Sequence, residues 1–298
     1  MTKIIESVPN ISEGMRTSVI ESCVDAVRST LGCTLLQYSS DPSHNRTVIT
    51  YIGSPEAVEE ASVKLAQAAA ALIDLTKHKG EHPRMGALDV MPFIPLKGVS
   101  MAECVELSKR VGQRIAEEAF LPVFLYEASA TMPHRQNLAD IRKGQFEGMA
   151  QKVLDPAWIP DYGWQRVHPT AGVAAVGARR PLIAFNINLN TKDVKVADSI
   201  AKIIRQAGGG LSNVKAIGIM LEKRDIAQVS INMTDYTKTP LYRVLELVKS
   251  EAARYGAFVT GTELVGLCPM DALIDSAAYY LQIEDFSRDA QVIENHLL

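Results

Sequence analysis

The sequence has no excess of charge of either sign, since 31 lysines and arginines nearly balance 34 aspartates and glutamates. The formal net charge of −3 gives no general reason to expect nucleic acid or an anionic membrane as a partner. No apolar run is long enough for a transmembrane helix, and residues 1–4 lack the charged-then-apolar pattern of a secretion signal. These absences favour a cytoplasmic protein.

Cysteine is also scarce, with four residues and no Cys-x-x-Cys pair among them. This excludes a disulfide-stapled scaffold and argues against a cysteine-bound zinc site. We expect Cys23, Cys33, Cys104 and Cys268 to be free thiols, mostly buried, in a reducing compartment.

What the chain does have is the composition of a globular protein, 47% apolar and 22% charged, over 298 residues. That length favours two domains, and we place the boundary near Arg180, giving residues 1–180 and 181–298. Each half has the predicted element order β-α-β-β-α-β, which is typical of a ferredoxin-like (split βαβ) arrangement in the α+β class. Helices would then cover one face of each sheet and leave the other bare.

The bare face of the second half is predicted to be polar. Asn186 and Asn188 alternate with apolar residues on one predicted strand, and Gln228, Ser230 and Asn232 do so on another. Two such halves with their polar faces together would leave a lined cleft between them.

The stretch 77–90 concentrates the residues capable of chemistry. It holds two histidines, three cations and two acids between a predicted Ala-rich helix and a predicted strand. Gly80, Pro83 and Gly86 prevent the helix from continuing, so we expect a loop with a fixed backbone path. Loops held between rigid elements are common positions for catalytic residues.

Five stretches together resemble the glutamate formimidoyltransferase (formiminotransferase) family: residues 8–14, 45–48, 78–90, 182–189 and 264–267. The longest of them is HKGEHPRMGALDV at 78–90. The resemblance covers essentially the whole chain, which is similar to the stand-alone transferase without the cyclodeaminase half of the bifunctional animal proteins. It implies two ferredoxin-like subdomains with helices on the outer faces and a substrate tunnel between the sheets.

The resemblance also implies an activity in histidine degradation and one-carbon metabolism. The formimidoyl group moves between N-formimidoyl-L-glutamate and tetrahydrofolate, giving 5-formimidoyltetrahydrofolate and L-glutamate. Folate is a substrate here, so no tightly bound cofactor and no metal are expected. The partners are these small molecules and, by family resemblance, a second copy of the chain in a homodimer.

In the matching motif the catalytic histidine falls on His82. A group that titrates near neutrality can take a proton from the attacking nitrogen and return one to the leaving nitrogen. The substrates are anions, so Arg84 and Arg46 are expected to bind carboxylates, with Lys79 and Arg166 as further candidates.

Two polar residues, Asn10 and Asp41, are also expected among the substrate-binding groups. A carboxylate near the reacting carbon would stabilise a cationic intermediate, and Glu81, Asp41 and Asp89 are all candidates for it. The connection 39–44 differs from the acidic pattern that the animal enzymes have at this place. Asp41 is the acid that remains there, so the resemblance supports its role less than that of the other residues.

The folate-binding segment of the family aligns with residues 163–172, although the interior of the segment differs from the animal sequences. Trp164 is a candidate for stacking on the pterin, and Arg166 for contacting the folate tail. The alternative is a surface loop with a packed tryptophan. The expected folate-binding residues are Gly163, Trp164, Gln165, Arg166, Val167, His168, Pro169, Thr170, Ala171 and Gly172.

Three alternatives remain at this point. The same site could transfer a formyl group between 5-formyltetrahydrofolate and glutamate. His78 and His82, four residues apart, could bind zinc together with His44 and Asp41 in a hydrolase, although Gly80 argues against the helix this requires. The third is a folate-binding protein without turnover.

Overall fold

The structure, a computed structural model, describes residues 2–297, with the side chains of 295 and 297 left out. The chain forms two compact units, one ending at Arg179 and the other starting at Arg180. Each unit combines a sheet with helices, so the predicted α+β class is confirmed.

The first unit contains a seven-stranded sheet and the helices packed on it. Its strands are β1 (Ile4–Ser7), β2 (Asn10–Ile11), β3 (Cys33–Asp41), β4 (Arg46–Gly53), β5 (Leu88–Lys97), β6 (Val123–Glu127) and β7 (Ala174–Ala178). Its helices are α1 (Thr17–Arg28), α2 (Pro55–Leu72), α3 (Met101–Glu118), α4 (Leu138–Arg142) and α5 (Gln145–Lys152).

Two of these helices begin where residue type and spacing predict a cap, at Ser54 before Pro55 and at Ser100 three residues before Glu103. Ser54 accepts a hydrogen bond from the Ala57 N–H, with proline at the first helical position of α2. Ser100 and Glu103 form a complete capping box at the start of α3, because each side chain accepts from the other residue's backbone N–H.

β1 and β2, which together form the first strand of the unit, lie in the middle of the sheet. β3 pairs with β4, which pairs with β1 and β2, and these pair with β5, all antiparallel. β7 and β6 then extend the sheet in parallel. The sequence did not predict β7, because its residues are alanines, one valine and one glycine, which have weak strand propensity.

The sheet of the first unit is covered on both faces in part of its area, which departs from the expected single layer of helices. α1, α2 and α3 pack on one face in the main core. On the other face Val90, Phe124 and Tyr126 form a smaller cluster with Ile141 of α4 and Met149 of α5. β5 is buried on both sides from Leu88 to Ile94, so this second cover removes apolar strand surface from water.

The second unit has a four-stranded antiparallel sheet in the order β11-β8-β10-β9. Its strands are β8 (Ile183–Leu189), β9 (Val214–Leu221), β10 (Ile226–Met233) and β11 (Val259–Val265). Its helices are α6 (Val194–Ile204), α7 (Leu241–Ala253), α8 (Met270–Leu281), α9 (Arg288–Gln291) and α10 (Glu294–Leu297). Ile187, Ile200, Val229 and Val244 belong to one apolar core between this sheet and its helices.

The cysteines are free thiols, as expected from their spacing, with Cys23 and Cys104 buried and the other two half-buried. Burial raises the pKa of the Cys23 thiol to about 12, which leaves it unreactive at neutral pH. Across residues 2–297, no helix combines the length and the apolar character needed to cross a membrane.

Candidate active site

The predicted loop between α2 and β5 is confirmed, and a backbone crossing holds its end in place. Gly86 forms an isolated β-bridge with Gly172. A Cβ on Gly86 would lie 2.0 Å from the Val173 carbonyl oxygen, and one on Gly172 would lie 2.1 Å from the Met85 carbonyl oxygen. Only glycine fits at either position, so the two segments fix each other.

A second clamp lies at the tip of the β3–β4 hairpin. Asn45 has φ +48°, a left-handed conformation that asparagine tolerates. Its side chain accepts from the Gly14 N–H at 2.8 Å and donates to the Lys79 carbonyl at 2.9 Å. Asn45 therefore joins three loops. It places the next residue, Arg46, beside residues 73–87, the loop between α2 and β5 that we call the histidine loop.

His82 lies between Arg46 and Asp89 with its side chain 11% exposed. Its Nδ1 is 3.4 Å from Nη1 of Arg46, and its Nε2 is 3.8 Å from Oδ2 of Asp89, which is too long for a hydrogen bond. The Nε2 atom is buried without a hydrogen-bond partner among the described residues. The imidazole thus has one nitrogen facing a cation and the other facing a carboxylate.

The surroundings keep His82 neutral at neutral pH. Burial is the largest effect and lowers the pKa of His82, and the charges of Arg46 and Arg142 lower it further, while Asp89 opposes them. A neutral imidazole can accept a proton, which is what a general base requires.

Asp89 is the carboxylate next to His82, and it is 1% exposed at the start of β5. Nη2 of Arg142 donates to its Oδ2 at 2.5 Å, and the Met85 N–H donates to its Oδ1 at 2.9 Å. Burial alone would raise the pKa of Asp89, but Arg142, His82 and the Met85 N–H outweigh it, so the pKa is lowered and the group is ionised. Of the three carboxylates considered for the intermediate, this one adjoins the imidazole.

Arg142, at the end of α4, was not predicted as a site residue. It and Arg46 both have a buried Nε atom with no hydrogen-bond partner in the described part of the chain. Burial lowers the pKa of Arg46, and the neighbouring charge of Arg142 lowers it further. Two cations and one ionised carboxylate surround a neutral histidine, so the site has a positive charge available for an anion.

Arg84 is 7% exposed and its donors are directed elsewhere. It forms a two-point ion pair with Glu147, at 2.5 and 2.8 Å, and also donates to Gln145 at 3.1 Å. This fastens α5 to the histidine loop. The substrate contact expected for Arg84 stays a prediction, and it requires the pair with Glu147 to open.

His78 uses both ring nitrogens in bonds to the protein. Its Nδ1 accepts from Nε of Arg84 at 3.2 Å, and its Nε2 lies 2.9 Å from the Asn45 carbonyl oxygen. The His78–His82 pair is therefore not arranged as two metal ligands. Within residues 2–297, no three or more His, Cys, Asp or Glu side chains are grouped so as to hold a metal ion.

Asp41 and Asn10 lie in β3 and β2 at the same end of the sheet as Arg46. The Asp41 carboxylate accepts from the Ser43 N–H at 2.8 Å and pairs with Nδ1 of His44 at 2.6 Å, so it orders the hairpin turn. Asn10 pairs with Val48 across the sheet and donates to the Val8 carbonyl at 3.2 Å. Their expected contacts with substrate stay predictions.

The expected folate segment divides into two parts. At its start Trp164 is 53% exposed, with its ring centroid 6.1 Å from that of Phe120. The Arg166 guanidinium lies 4.3 Å from the centre of the Trp164 ring. The Trp164 ring is therefore exposed to solvent and forms a cation–π contact with Arg166, so it is not part of the packed core.

The later part of the segment, residues 168–172, is attached to the histidine loop. The Thr170 carbonyl accepts from the Leu75 N–H at 2.8 Å, and the Ala171 carbonyl accepts from the Ala87 N–H at 2.8 Å. Nδ1 of His168 accepts from the Ala171 N–H at 2.9 Å, so this histidine stabilises the turn of the segment.

Comparison with known proteins assigns the chain to a family. The family model described as "Formiminotransferase domain, N-terminal subdomain" matches residues 4–179, and "Formiminotransferase domain" matches residues 184–296. The chain belongs to the formiminotransferase family, which confirms the resemblance found in its motifs.

Individual relatives agree with this assignment. The chain is 57% identical to a protein named glutamate formimidoyltransferase from Streptococcus pyogenes serotype M1, over the full length of both. It is 42% identical to a glutamate formimidoyltransferase from Thermoplasma acidophilum, covering 99% of this chain and 97% of the relative. It is 47% identical to the formimidoyltransferase-cyclodeaminase of Rattus norvegicus, where it spans 95% of itself and 53% of the relative.

Proposed function

We infer that this chain is a glutamate formimidoyltransferase, which transfers the formimidoyl group between N-formimidoyl-L-glutamate and tetrahydrofolate. The observation that supports this most strongly is the full-length similarity to the streptococcal protein of that name. The site adds a physical reason, because a neutral histidine beside two arginines suits proton transfer on an anionic substrate. The products are 5-formimidoyltetrahydrofolate and L-glutamate, which links the reaction to histidine degradation and one-carbon metabolism.

In the proposed mechanism His82 moves one proton. N5 of tetrahydrofolate attacks the amidine carbon of formimidoylglutamate and forms the new C–N bond. The neutral imidazole takes the proton that N5 loses and gives it to the glutamate nitrogen as the old C–N bond breaks. In the reverse direction it takes a proton from the glutamate ammonium and returns one to N5. A positioned acid–base group of this kind contributes about 10²–10⁴ in rate.

Arg46 is proposed to bind a substrate carboxylate next to His82. Its guanidinium adjoins Nδ1 of the imidazole, and its Nε is buried without a partner among the described residues. A carboxylate accepts two parallel hydrogen bonds from an arginine fork, so it would satisfy the unpaired donor and neutralise the local positive charge. Binding there would hold the reacting amidine near the imidazole.

The segment 163–172 is proposed to bind folate. Trp164 supplies an exposed aromatic face for the pterin, and Arg166 a cation for the anionic tail. The later part of the segment, residues 168–172, is hydrogen-bonded to the loop that holds His82. Folate bound to the segment would therefore lie next to that loop. Gly163 provides the tight turn at the start, because it has φ +88° and a Cβ there would lie 3.1 Å from Cα of Pro122.

We propose that each unit is a ferredoxin-like subdomain, because both have a β-α-β-β-α-β order with a central first strand. The substrate tunnel between the sheets, the homodimer, the cytoplasmic location and the boundary at 180/181 stay predictions. Tetrahydrofolate acts as a substrate, and no tightly bound cofactor is included in the mechanism.

One assay tests the function against its alternatives. Purified protein and tetrahydrofolate are mixed with formimidoylglutamate, with formylglutamate, or with neither, and loss of free tetrahydrofolate is followed. We expect the formimidoyl donor to be used with the highest kcat/KM. Preference for the formyl donor would support the formyl alternative, and no reaction with either donor would overturn the proposal.

A further inference from the structure

We propose that Asp89 and Arg142 are positioning residues for His82: Asp89, together with Arg46 on the other side of the ring, determines which ring nitrogen has the proton, and Arg142 orients Asp89. The proposal rests on the transferase function inferred above and specifies how its base is held. Asp89 and Arg142 lie 53 positions apart in the chain, and Arg142 reaches the site from α4.

The tautomer follows from what arginine can do. A guanidinium donates hydrogen bonds and accepts none, so the Nδ1 of His82 that faces Arg46 has the lone pair in the neutral ring. The proton is then on Nε2, and Nε2 points toward Oδ2 of Asp89 at 3.8 Å. When Arg46 turns to a substrate carboxylate, the lone pair of Nδ1 is free to accept the proton of the reacting nitrogen.

Asp89 is itself held from two sides. The Met85 N–H holds one carboxylate oxygen and Arg142 the other, while burial excludes water from both. An ionised carboxylate in this position favours the Nε2–H tautomer and stabilises the imidazolium that forms during transfer. The separation of 3.8 Å between Nε2 and Oδ2 leaves room for the two atoms to approach each other as the ring becomes charged.

Arg142 has two opposite effects on His82. Directly, its positive charge disfavours the imidazolium, and through Asp89 it keeps the carboxylate ionised and oriented. The charged groups that face His82 are Arg46, Asp89 and Arg142, and the charge of Asp41 in turn raises the pKa of Arg46. The pKa of His82 is therefore raised by one anion and lowered by two cations.

Nitrogen NMR on the histidine rings tests the proposal without relying on turnover. The protein has six histidines, so His82→Gln assigns the signal. We expect the neutral His82 ring to be the Nε2–H tautomer in the wild-type protein. In Asp89→Asn we expect a mixture of tautomers and a lower titration midpoint, and in Arg142→Gln a mixture of tautomers, because Asp89 is no longer oriented. A wild-type Nδ1–H tautomer, or variants that keep the wild-type tautomer, would overturn the proposal.

Kinetics give the second readout. We expect Asp89→Asn to lower kcat roughly 10²–10³-fold with little change in KM, because the base is present but misoriented. Arg142→Lys, which keeps the cation without the fork, is expected to retain more activity than Arg142→Gln. The double variant should lose little more than Asp89→Asn alone, since Arg142 acts through Asp89. Additive losses would contradict that order of action.

A matched control separates positioning from general stability. Arg135 pairs with Asp161 at 2.9 Å, with both side chains almost fully buried, and it belongs to the same unit. Arg135→Gln removes a buried arginine–carboxylate pair of similar kind, so we expect a lower melting temperature with the His82 tautomer and midpoint unchanged. If Arg135→Gln changes the tautomer as Arg142→Gln does, the effect is general and the proposal fails.

Failure of this proposal can be told apart from failure of the proposed function. Active wild-type protein, inactive His82→Gln and normal Asp89→Asn would remove the positioning pair and leave the transferase intact. Wild-type protein inactive with either donor would remove the function, while the NMR result would still decide the tautomer.

Discussion

Each of the two units has a set of buried and half-buried polar side chains, but the two sets are bonded differently. In the second unit Gln228 donates to Asn188 at 2.7 Å and to Glu263 at 3.2 Å, and Asn188 donates to Glu263 at 2.8 Å. Glu263 also accepts from Arg224 at 2.6 Å. In the first unit Arg46, His82 and Arg142, which lie side by side, each have a buried nitrogen with no partner in the described residues. We call the set in the second unit the closed set, because none of its described side chains has a buried unpartnered atom, and the set in the first unit the open set.

The difference separates polar side chains that stabilise the fold from polar side chains that are available to a ligand. A buried polar group without a partner costs about 1–3 kcal/mol, so folding stability does not explain the open set. Tyr126, Arg135 and Arg205 also have one buried unpartnered atom each. What distinguishes the open set is that its three atoms belong to one imidazole and the two arginines beside it, where a bound anion would satisfy the arginines.

The largest expected effect comes from removing the imidazole in the open set. His82→Gln keeps the size of the side chain but cannot titrate, so we expect kcat to fall by about 10²–10⁴. Folate affinity by calorimetry and the melting temperature should stay near the wild-type values. Turnover close to wild type with folate affinity intact would mean that the open set is not the site of proton transfer.

The next effect distinguishes the two arginines predicted to bind carboxylates. Arg46→Gln is expected to raise the KM for formimidoylglutamate roughly 10- to 100-fold, because hydrogen bonds to a charged group contribute about 1.5–3 kcal/mol. Arg84→Gln breaks the pair with Glu147, so we expect mainly a lower melting temperature. If Arg84→Gln gives the KM effect and Arg46→Gln does not, Arg84 is the residue that binds the substrate carboxylate.

A change in the closed set should affect stability alone. Gln228→Ala removes two hydrogen bonds and leaves Asn188 with an unpaired buried oxygen, which we expect to cost about 1–3 kcal/mol in the unfolding of the second unit. Ser230→Ala, on the same strand and half-buried, is the control and should cost less. Urea denaturation measures both, and a His82 titration shifted by Gln228→Ala would show that the two sets are linked.

The smallest effect is expected at the exposed aromatic residue of the folate segment. Trp164→Ala should weaken folate binding by roughly 2- to 12-fold, the range for losing an aromatic stacking contact of about 0.5–1.5 kcal/mol. The other tryptophan, Trp158, packs under Lys152 and serves as the control. Equal losses from both substitutions would indicate that Trp164 is only a packed surface residue.

Much of the fold was predictable because local rules and tertiary packing agree. The caps at Ser54 and Ser100, the polar alternation of β8 and β10, and the loop after α2 all followed from residue type and spacing. β7 could not be predicted in this way, because its small residues have weak strand propensity and it pairs with β5 on one side and β6 on the other. Its neighbours, and not its own propensity, determine its conformation.

Residues of the candidate site could be proposed from the sequence where they lie in one motif. His82 and Asp89 belong to a single stretch, and Arg46 follows an asparagine in another. Arg142 could not be found this way, because it lies in a short helix of mixed sequence whose position depends on packing against Val90 and Phe124. The pairing of Arg84 with Glu147 was equally hidden, since it joins segments 63 positions apart.

The proposed mechanism depends on a neutral His82 that accepts a proton, and the pH dependence of kcat/KM for formimidoylglutamate, which reports the enzyme before this substrate binds, tests this most directly. Burial lowers the pKa of His82 below that of an ordinary histidine, about 6.5, so the base stays active in mildly acidic solution. We predict that kcat/KM falls as the pH drops through a single titration below that value, and that this acid limb is absent from the residual activity of His82→Gln. The same acid limb in His82→Gln would contradict the account.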